Sequence, residues 1–572
     1  MKPNEQKILN LLSSNDVTFY IPPYQRNYEW THEQCDVFFN DIQKTCKQNN
    51  ANIKTEHFFG TITYFQSGNV FGQPSKLVLI DGQQRITTTM LFLVALRDTI
   101  NDANLKNYIN DTYLLNQRVT DNANFKVKLK QVEADWETYK DLILGDSISD
   151  NGKSSTVYSN YNFFLNKLRS YVSSDDDLKV LVTAGLDKFS VITVELEPDK
   201  NPWENPQEIF ESMNSLGKPL SLADLVRNYL LLGLDATTQD NYYNKYWLKI
   251  ERNLPGQVSN YIRDFMQYHE CKSYKKATES NYKELYRQFK VVVNRHAPVD
   301  VLKNLADCSD IYAYIIGRKQ CPNAAIEAVL SDLRYISATT VYSVLLGLLR
   351  AWEFEHKFTA QDVEEILQAL KIYCLRRRML GITQGENKNL PLLAKKLDDL
   401  VQAPNKRLKM FEILSQQGAY SLRLPNDLEL KRHLETANFY SFKYAKFYLA
   451  LIEESITKSR PDLETSVLQI EHIMPQTLNA WWRNNLGADV DSWYPEMVHT
   501  IGNLTLIRHN QELSNKPFDE KKDIYTNNAG LQIAKTKITD QNNWDRNAIQ
   551  NRATWIINYL LDNVLTIPAN MR

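Results

Sequence analysis

The chain has little that would tie it to a membrane, to disulfide chemistry or to a blanket electrostatic hold on nucleic acid. No apolar run in it approaches the roughly 18 to 20 residues that a bilayer-spanning helix needs. The opening MKPNEQKILNLLSSND has neither the basic start nor the apolar stretch of a secretion signal, so a cytoplasmic protein without a membrane partner is expected. Six cysteines (Cys35, Cys46, Cys271, Cys308, Cys321, Cys374) are scattered over 572 residues with no CxxC pair, which argues against a zinc knuckle or a disulfide framework and for reduced thiols. An excess of one charge is missing too: 67 Lys and Arg against 68 Asp and Glu give a net charge of -1. Any DNA contact must therefore come from local basic patches, since phosphates are met by a few Lys and Arg and not by the mean charge. The phosphate-loop sequence GxxxxGK[ST], low-complexity tracts and internal repeats are also absent, which removes Walker-type NTP binding and solenoid architectures.

What remains is an ordinary globular balance, 43% apolar and 24% charged. The length exceeds a single core, which stops growing near about 250 to 300 residues, so two or three domains are expected. Short β-type runs (Val17 to Ile21, Phe58 to Phe65, Leu77 to Ile80, Val191 to Leu196) alternate with helical patterns over residues 1–235, an α/β or α+β pattern. Residues 236–435 repeat apolar positions at helical spacing, as in TVYSVLLGLLRAWEF and VEEILQALKIYCL. Residues 436–572 are small and mixed: the helix FKYAKFYLALIEESI leads to two strand-like segments, LQIEHIMPQ and IGNLTLIRHN. The fold class is multidomain α+β with a helical middle.

In the last section a half-buried strand carries Glu471 and His472 to Pro475, which ends it. A second strand begins at Asn503, and Asn510 and Asn515-Lys516 lead toward a helix. His472 is a base of suitable strength at neutral pH, with an ordinary pKa near about 6.5, and phosphodiester hydrolysis needs such a base to activate water. A lone Glu-His pair at a strand end is usually only a surface pair; the ordered strand, strand and helix give it weight. EHIMPQ, IGNLTLI and HNQELSNKPFDEKK resemble the ββα-metal fold of HNH nucleases and the family labelled domain of unknown function 1524, over about Tyr440 to Leu560. The resemblance implies that Glu471 ligates a metal, that Asn503 orients the His472 ring, and that Asn510 or else Asn515 is the second ligand. Oxygen donors of this kind suit Mg²⁺ or Mn²⁺. His499 and His509 are lesser candidates. Arg508, Lys516, Lys521 and Lys522 are positioned either to meet phosphates or as a solvated helix face.

In the first section, YIPPYQRNYEW presents Gln25 and Arg26 on a proline-stiffened loop, and LVLIDGQQR runs a buried strand through Asp81 and Gly82 into a helix. Such a junction binds anions: glycine lets backbone N–H groups approach, the helix start is partly positive, and Arg85 adds a forked donor. Equally, the turn could simply pack an Asp-Arg pair. A third segment, Ile209 to Ser221, ends in a helix cap at Ser221 with Asp224 three residues on. Together the three resemble the family labelled domain of unknown function 262, similar to the ParB-type fold, over about Asn10 to Leu234. That resemblance implies a nucleotide-phosphate site at Asp81, Gln83, Gln84 and Arg85, with the Gln25-Arg26 loop closing over it or reading DNA. In the helical middle, Arg376-Arg377-Arg378, Lys395-Lys396 and Lys406-Arg407-Leu408-Lys409 gather positive charge, as a DNA-facing surface through residues such as Arg377 or as solvated helix faces.

Both constellations on one chain resemble the GmrSD-like class of type IV, modification-dependent restriction proteins of anti-phage defence. The resemblance implies an HNH endonuclease with NTPase activity (GTP or ATP) that cuts modified phage DNA, alone as a homo-oligomer or with a defence-system partner. Two other readings stay open: a ParB-like, nucleotide-gated DNA-binding regulator whose nuclease motif has decayed, and an RNA-cutting toxin.

Overall fold

The computed structural model describes residues 2–67, 74–117, 119, 126–171, 174–198, 200–201, 203–206, 208–209, 220–232, 234–294, 296–383, 386–416, 423–508, 513–527 and 530–572. It is a mixed α/β chain of two compact units: Met1–Ile262 with Lys276–Ala306, and Arg263–Lys275 with Asp307–Arg572. Helices of the 236–435 stretch are shared between the two units.

The first unit is built on strands β1 (Lys2–Lys7), β2 (Val17–Tyr20), β3 (His57–Ser67), β4 (Ser75–Asp81), β5 (Leu129–Lys130) and β6 (Phe189–Leu196), in the order β1-β6-β3-β4-β2-β5. The pairs β2–β4, β2–β5 and β3–β6 are parallel, whereas β1–β6 and β3–β4 are antiparallel. All four β-type runs expected from the sequence are strands; β1 and β5 are additional. One face of the sheet, carrying Phe19, Ile62, Leu77, Leu79, Phe189 and Val191, packs on helices α1 (His32–Asn50), α2 (Gln83–Thr99) and α3 (Thr156–Tyr171). Phe38, Phe92, Phe164 and Phe189 meet there mostly edge to face, the arrangement aromatic quadrupoles favour. Helix α2 is buried along nearly its whole length, from Ile86 to Leu96, so it is a central helix and not an amphipathic surface one. Helix α4 (Leu222–Leu231) starts with the expected capping box: Ser221 Oγ accepts from the Asp224 N–H, and the Ser221 N–H donates to the Asp224 carboxylate.

No strand lies between β6 and residue 469 among the described residues. The second unit is helical around one small sheet, strands β7 (Gln469–His472) and β8 (Leu504–Ile507), antiparallel with Glu471 opposite Thr505 and His472 opposite Leu504. The unit's helices include α5 (Ala360–Met379), α6 (Ala445–Thr457), α7 (Phe518–Asn527) and α8 (Arg546–Tyr559). Helix α5 carries the arginine run, and the structure corrects its role: Arg376 and Arg377 are fully buried. Arg376 donates to the Leu565 and Pro425 carbonyls and pairs with Asp427 at 2.6 Å, and Arg377 pairs with Glu386 at 3.1 Å. Burial demands such partners for a guanidinium, which leaves Arg377 without access to DNA.

Candidate active site

Glu471 and His472 end β7, and the loop that follows is fixed from the other strand. The Ile473 N–H donates to the Asn503 carbonyl at 3.0 Å. The buried Asn503 side chain accepts from the Met474 N–H at 2.8 Å and from the Trp544 indole at 3.0 Å, and donates to the Met474 and Val498 carbonyls. All four bonding positions of that amide are thus used, three on the loop and one on Trp544. The expected bond from Asn503 to the His472 ring is not among them; Asn503 holds the chain that holds the ring. Next to it Gly502 is required, because a Cβ there would run into the Ile549 carbonyl of α8. Arg552 of α8, wholly buried, donates to the Gly502, Leu504 and Ile533 carbonyls, and burial brings its pKa down to about 9.

His472 is 5% exposed. Its Nε2 lies 3.0 Å from His499 Nδ1, so one of the two rings donates and the other accepts. Tyr440 closes the group, its ring edge-on to His472 at 4.6 Å and stacked on His499 at 5.7 Å. Burial, then the neighbouring His499 and Lys521, lower the His472 pKa to about 4, so the ring is a neutral base at neutral pH. In the sequence His499 is only a lesser candidate, because no motif distinguishes a histidine four places before Asn503 until the loop folds back on β7.

Glu471 is also buried, and its Oε1 accepts from Lys521 of α7 at 2.6 Å. Lys521 Nζ further donates to the His472 carbonyl at 3.0 Å. Burial pushes the Glu471 carboxyl up and the Lys521 ammonium down, each opposed by their mutual attraction. Lys521 is therefore an internal strut and no phosphate contact, and Lys522 donates to the Gln541 carbonyl. Arg508, Asn515 and Lys516 are exposed, the Asn515 and Lys516 carbonyls accepting from Asn479 and the Trp482 indole. Asn510 and His509 lie outside the described residues. Among the described residues no group of three or more His, Cys, Asp or Glu could hold the implied divalent cation, and the carboxylate next to His472, that of Glu471, is paired with Lys521. The described donors do not fit such an ion.

In the first unit, Gly82 takes φ +94° at the start of α2, and a Cβ there would lie 2.9 Å from Ile62 Cγ1. The three glutamines of the expected nucleotide site serve the fold. Gln83 donates to Gln25 at 3.2 Å, and Gln25 donates to the Ile80 carbonyl at 3.1 Å. Gln84 donates to the Asn27 carbonyl and accepts from the Glu29 N–H. They bolt the Tyr24–Trp30 loop to the turn, and Arg227 adds a bond to the Tyr24 carbonyl. Asp81 and Arg85 stay partly exposed, 3.7 Å apart, with Arg85 also donating to the Thr61 carbonyl. Arg26 lies 3.6 Å from Glu29, and its buried Nε has no hydrogen-bond partner among the described residues. Within the third segment, residues 210–219 lie outside the described ones.

Two family models match the chain. That for the N-terminal domain of GmrSD restriction endonuclease covers residues 8–231, and that for the C-terminal domain of GmrSD restriction endonucleases covers residues 424–559. The chain belongs to the GmrSD-like type IV restriction endonucleases. The GmrSD C-terminal match contains His472, His499, Asn503 and Lys521, and the N-terminal match contains the Gly82 turn and the Gln25 loop bolted to it. No curated protein matches the chain. Among the described residues no helix is long and apolar enough to cross a membrane.

Proposed function

We propose that the GmrSD C-terminal domain cleaves DNA phosphodiesters with His472 as general base, and that the Asp81–Arg85 turn takes the phosphates of a GTP or ATP that governs cutting. The observation that carries the catalytic half is the His472–His499 pair, 3.0 Å apart at a strand end. A neutral imidazole accepts a proton from water attacking phosphorus, and the adjacent ring fixes its tautomer or takes the proton onward. Asn503 and Lys521 keep the loop and the strand end in place while this happens. Arg508 and Lys516 are exposed cations of this section suited to DNA phosphates. A Mg²⁺ or Mn²⁺ ion would need either the Glu471 carboxylate released from Lys521 or Asn510 as a ligand. On the N-terminal side, Arg85 and the uncapped start of α2 are the groups a nucleotide phosphate would meet, with Arg26 on the loop beside them. The domain division 1–235, 236–435 and 436–572, the HNH and ParB-like assignments and a defence setting directed at modified phage DNA belong to the same proposal.

One observation favours a second reading, a DNA-binding regulator with a decayed nuclease: the Glu471 carboxylate is already occupied by a lysine. Plasmid nicking with the purified chain, with and without Mg²⁺ or Mn²⁺ and GTP or ATP, separates the two. Conversion of supercoiled DNA to nicked or linear forms supports the nuclease; nucleotide-dependent binding without any conversion under all these conditions supports the regulator. A parallel RNA substrate that is cut in preference to DNA would replace DNA as the target.

A further inference from the structure

On one face of β2, β4 and β5 lies a cleft of about 320 Å³ lined by Tyr20, Lys76, Lys130, Gln131, Asp240 and Tyr243, all within the first unit. The register sets two lysines beside one tyrosine: Tyr20 pairs with Lys130, and Thr18, two residues before it on the same face, pairs with Lys76. Lys76 Nζ stands 3.5 Å from the Tyr20 ring centre, and Lys130 Nζ stands 3.8 Å from the Trp136 ring centre. Among the described residues neither ammonium makes a hydrogen bond or an ion pair. Lys128, two residues before Lys130, shows what a structural lysine does in this sheet: it donates to the Leu12 and Thr112 carbonyls and to the Asn15 amide oxygen. The two cleft lysines are half buried without such partners, and desolvation lowers both, Lys130 to about 8. Asp240 acts on both ammoniums, and Glu133 and Glu137 on Lys130, only through space; half withdrawn from water and with no hydrogen-bond acceptor of its own, each ammonium is left short of acceptors, and an anion entering the cleft would supply them.

The geometry points to a binding site for a small phosphoryl compound, its dianionic group between Lys76 and Lys130 and its hydroxyl groups toward Asp240 and Glu133 at the rim. Two cations in one cleft match a dianion better than a carboxylate. Asp240, which accepts from the Tyr20 hydroxyl at 3.0 Å, and Glu133 are acceptors suited to hydroxyls. The volume falls at the small end of the range for small-molecule sites, about 300 to 1,000 Å³, and is too small for a duplex. The site is separate from the Asp81–Arg85 turn: Lys76 and Asp81 stand near opposite ends of β4, roughly 16 Å apart at about 3.3 Å per residue. It does not depend on the nuclease reading.

Calorimetric titration of the full chain with inorganic phosphate, ribose 5-phosphate, AMP and GTP tests it, the first distinguishing a free phosphate from a phosphate ester. The expected result is that at least one probe binds, that its affinity falls at least tenfold in K76M/K130M, and that Lys130→Arg leaves it within a factor of about three. Should K76M/K130M fail to fold, Lys130→Gln is read by the same criterion. The site is overturned if no probe binds the wild-type chain, or if every probe that binds does so equally well after the lysines are replaced.

Discussion

His472 is held neutral by its surroundings before any substrate arrives. Its folded pKa, about 4, lies below the ordinary 6.5, so between those values the unfolded chain binds a proton that the folded site refuses. Stability carried by this group is therefore present above about 6.5 and declines as pH falls toward 4. Activity should follow the folded value: cleavage stays level from about pH 8 to about pH 5 and falls only toward about 4. A rate that halves near 6.5 would contradict the assignment. Lys521 and Glu471 make a second residue-scale case. Lys521→Met leaves the buried Glu471 without its counter-charge and should cost about 3–5 kcal/mol in denaturant unfolding, whereas adding Glu471→Gln should recover most of that loss. A single variant as stable as wild type would show that the pair contributes nothing. Side-chain roles of this kind were the least legible part of the sequence. A triple arginine at the end of a helix is ordinarily a solvated face, and only the folded chain brings the Leu565 carbonyl to Arg376 or Glu471 to Lys521. His472 was legible because its chemistry is intrinsic to the residue, and His499 was not because its role is conferred by a neighbour.

At the scale of elements, two glycines fix how the site-bearing segments are joined. Gly82→Ala forces a side chain into a positive-φ position beside Ile62 and should lower stability by about 1–3 kcal/mol. Gly145 also has positive φ, at +79°, but nothing lies within 4 Å of its added Cβ, so Gly145→Ala carries the backbone strain alone. Thermal unfolding should rank Gly502→Ala as the most damaging, then Gly82→Ala, then Gly145→Ala; a Gly502→Ala chain that melts with wild type would refute the packing of α8 on the Asn503 loop. Elements with strong periodicity were readable beforehand, among them four strands of the larger sheet, both strands of the smaller one and the helical stretch between. The missed strands have physical excuses. KPNEQK in β1 has no apolar alternation because it is a largely exposed edge strand, and β5 is two residues long. The DGQQR turn was legible as strand, glycine and helix, yet its glutamines bind the neighbouring loop, a use that composition does not reveal.

For the molecule as a whole, the proposed function assigns nucleotide control to a turn in one unit and phosphodiester cleavage to residues of the other. If the two act together, GTP or ATP should change the nicking rate of the wild-type chain, and Arg85→Ala should abolish that response while leaving nucleotide-free nicking unaltered. A response that survives Arg85→Ala would move nucleotide control away from the turn. The near-zero net charge makes a long, nonspecific hold on DNA unnecessary for this account: a few exposed cations near the site suffice, and binding should weaken with rising salt in proportion to those few contacts. The most direct test of the central claim is supercoiled-plasmid conversion, with modified phage DNA in parallel, by the wild-type chain and by His472→Ala at matched folding by circular dichroism. His472→Ala is expected still to bind DNA and to leave it uncut. Cleavage by that variant at the wild-type rate would contradict the claim.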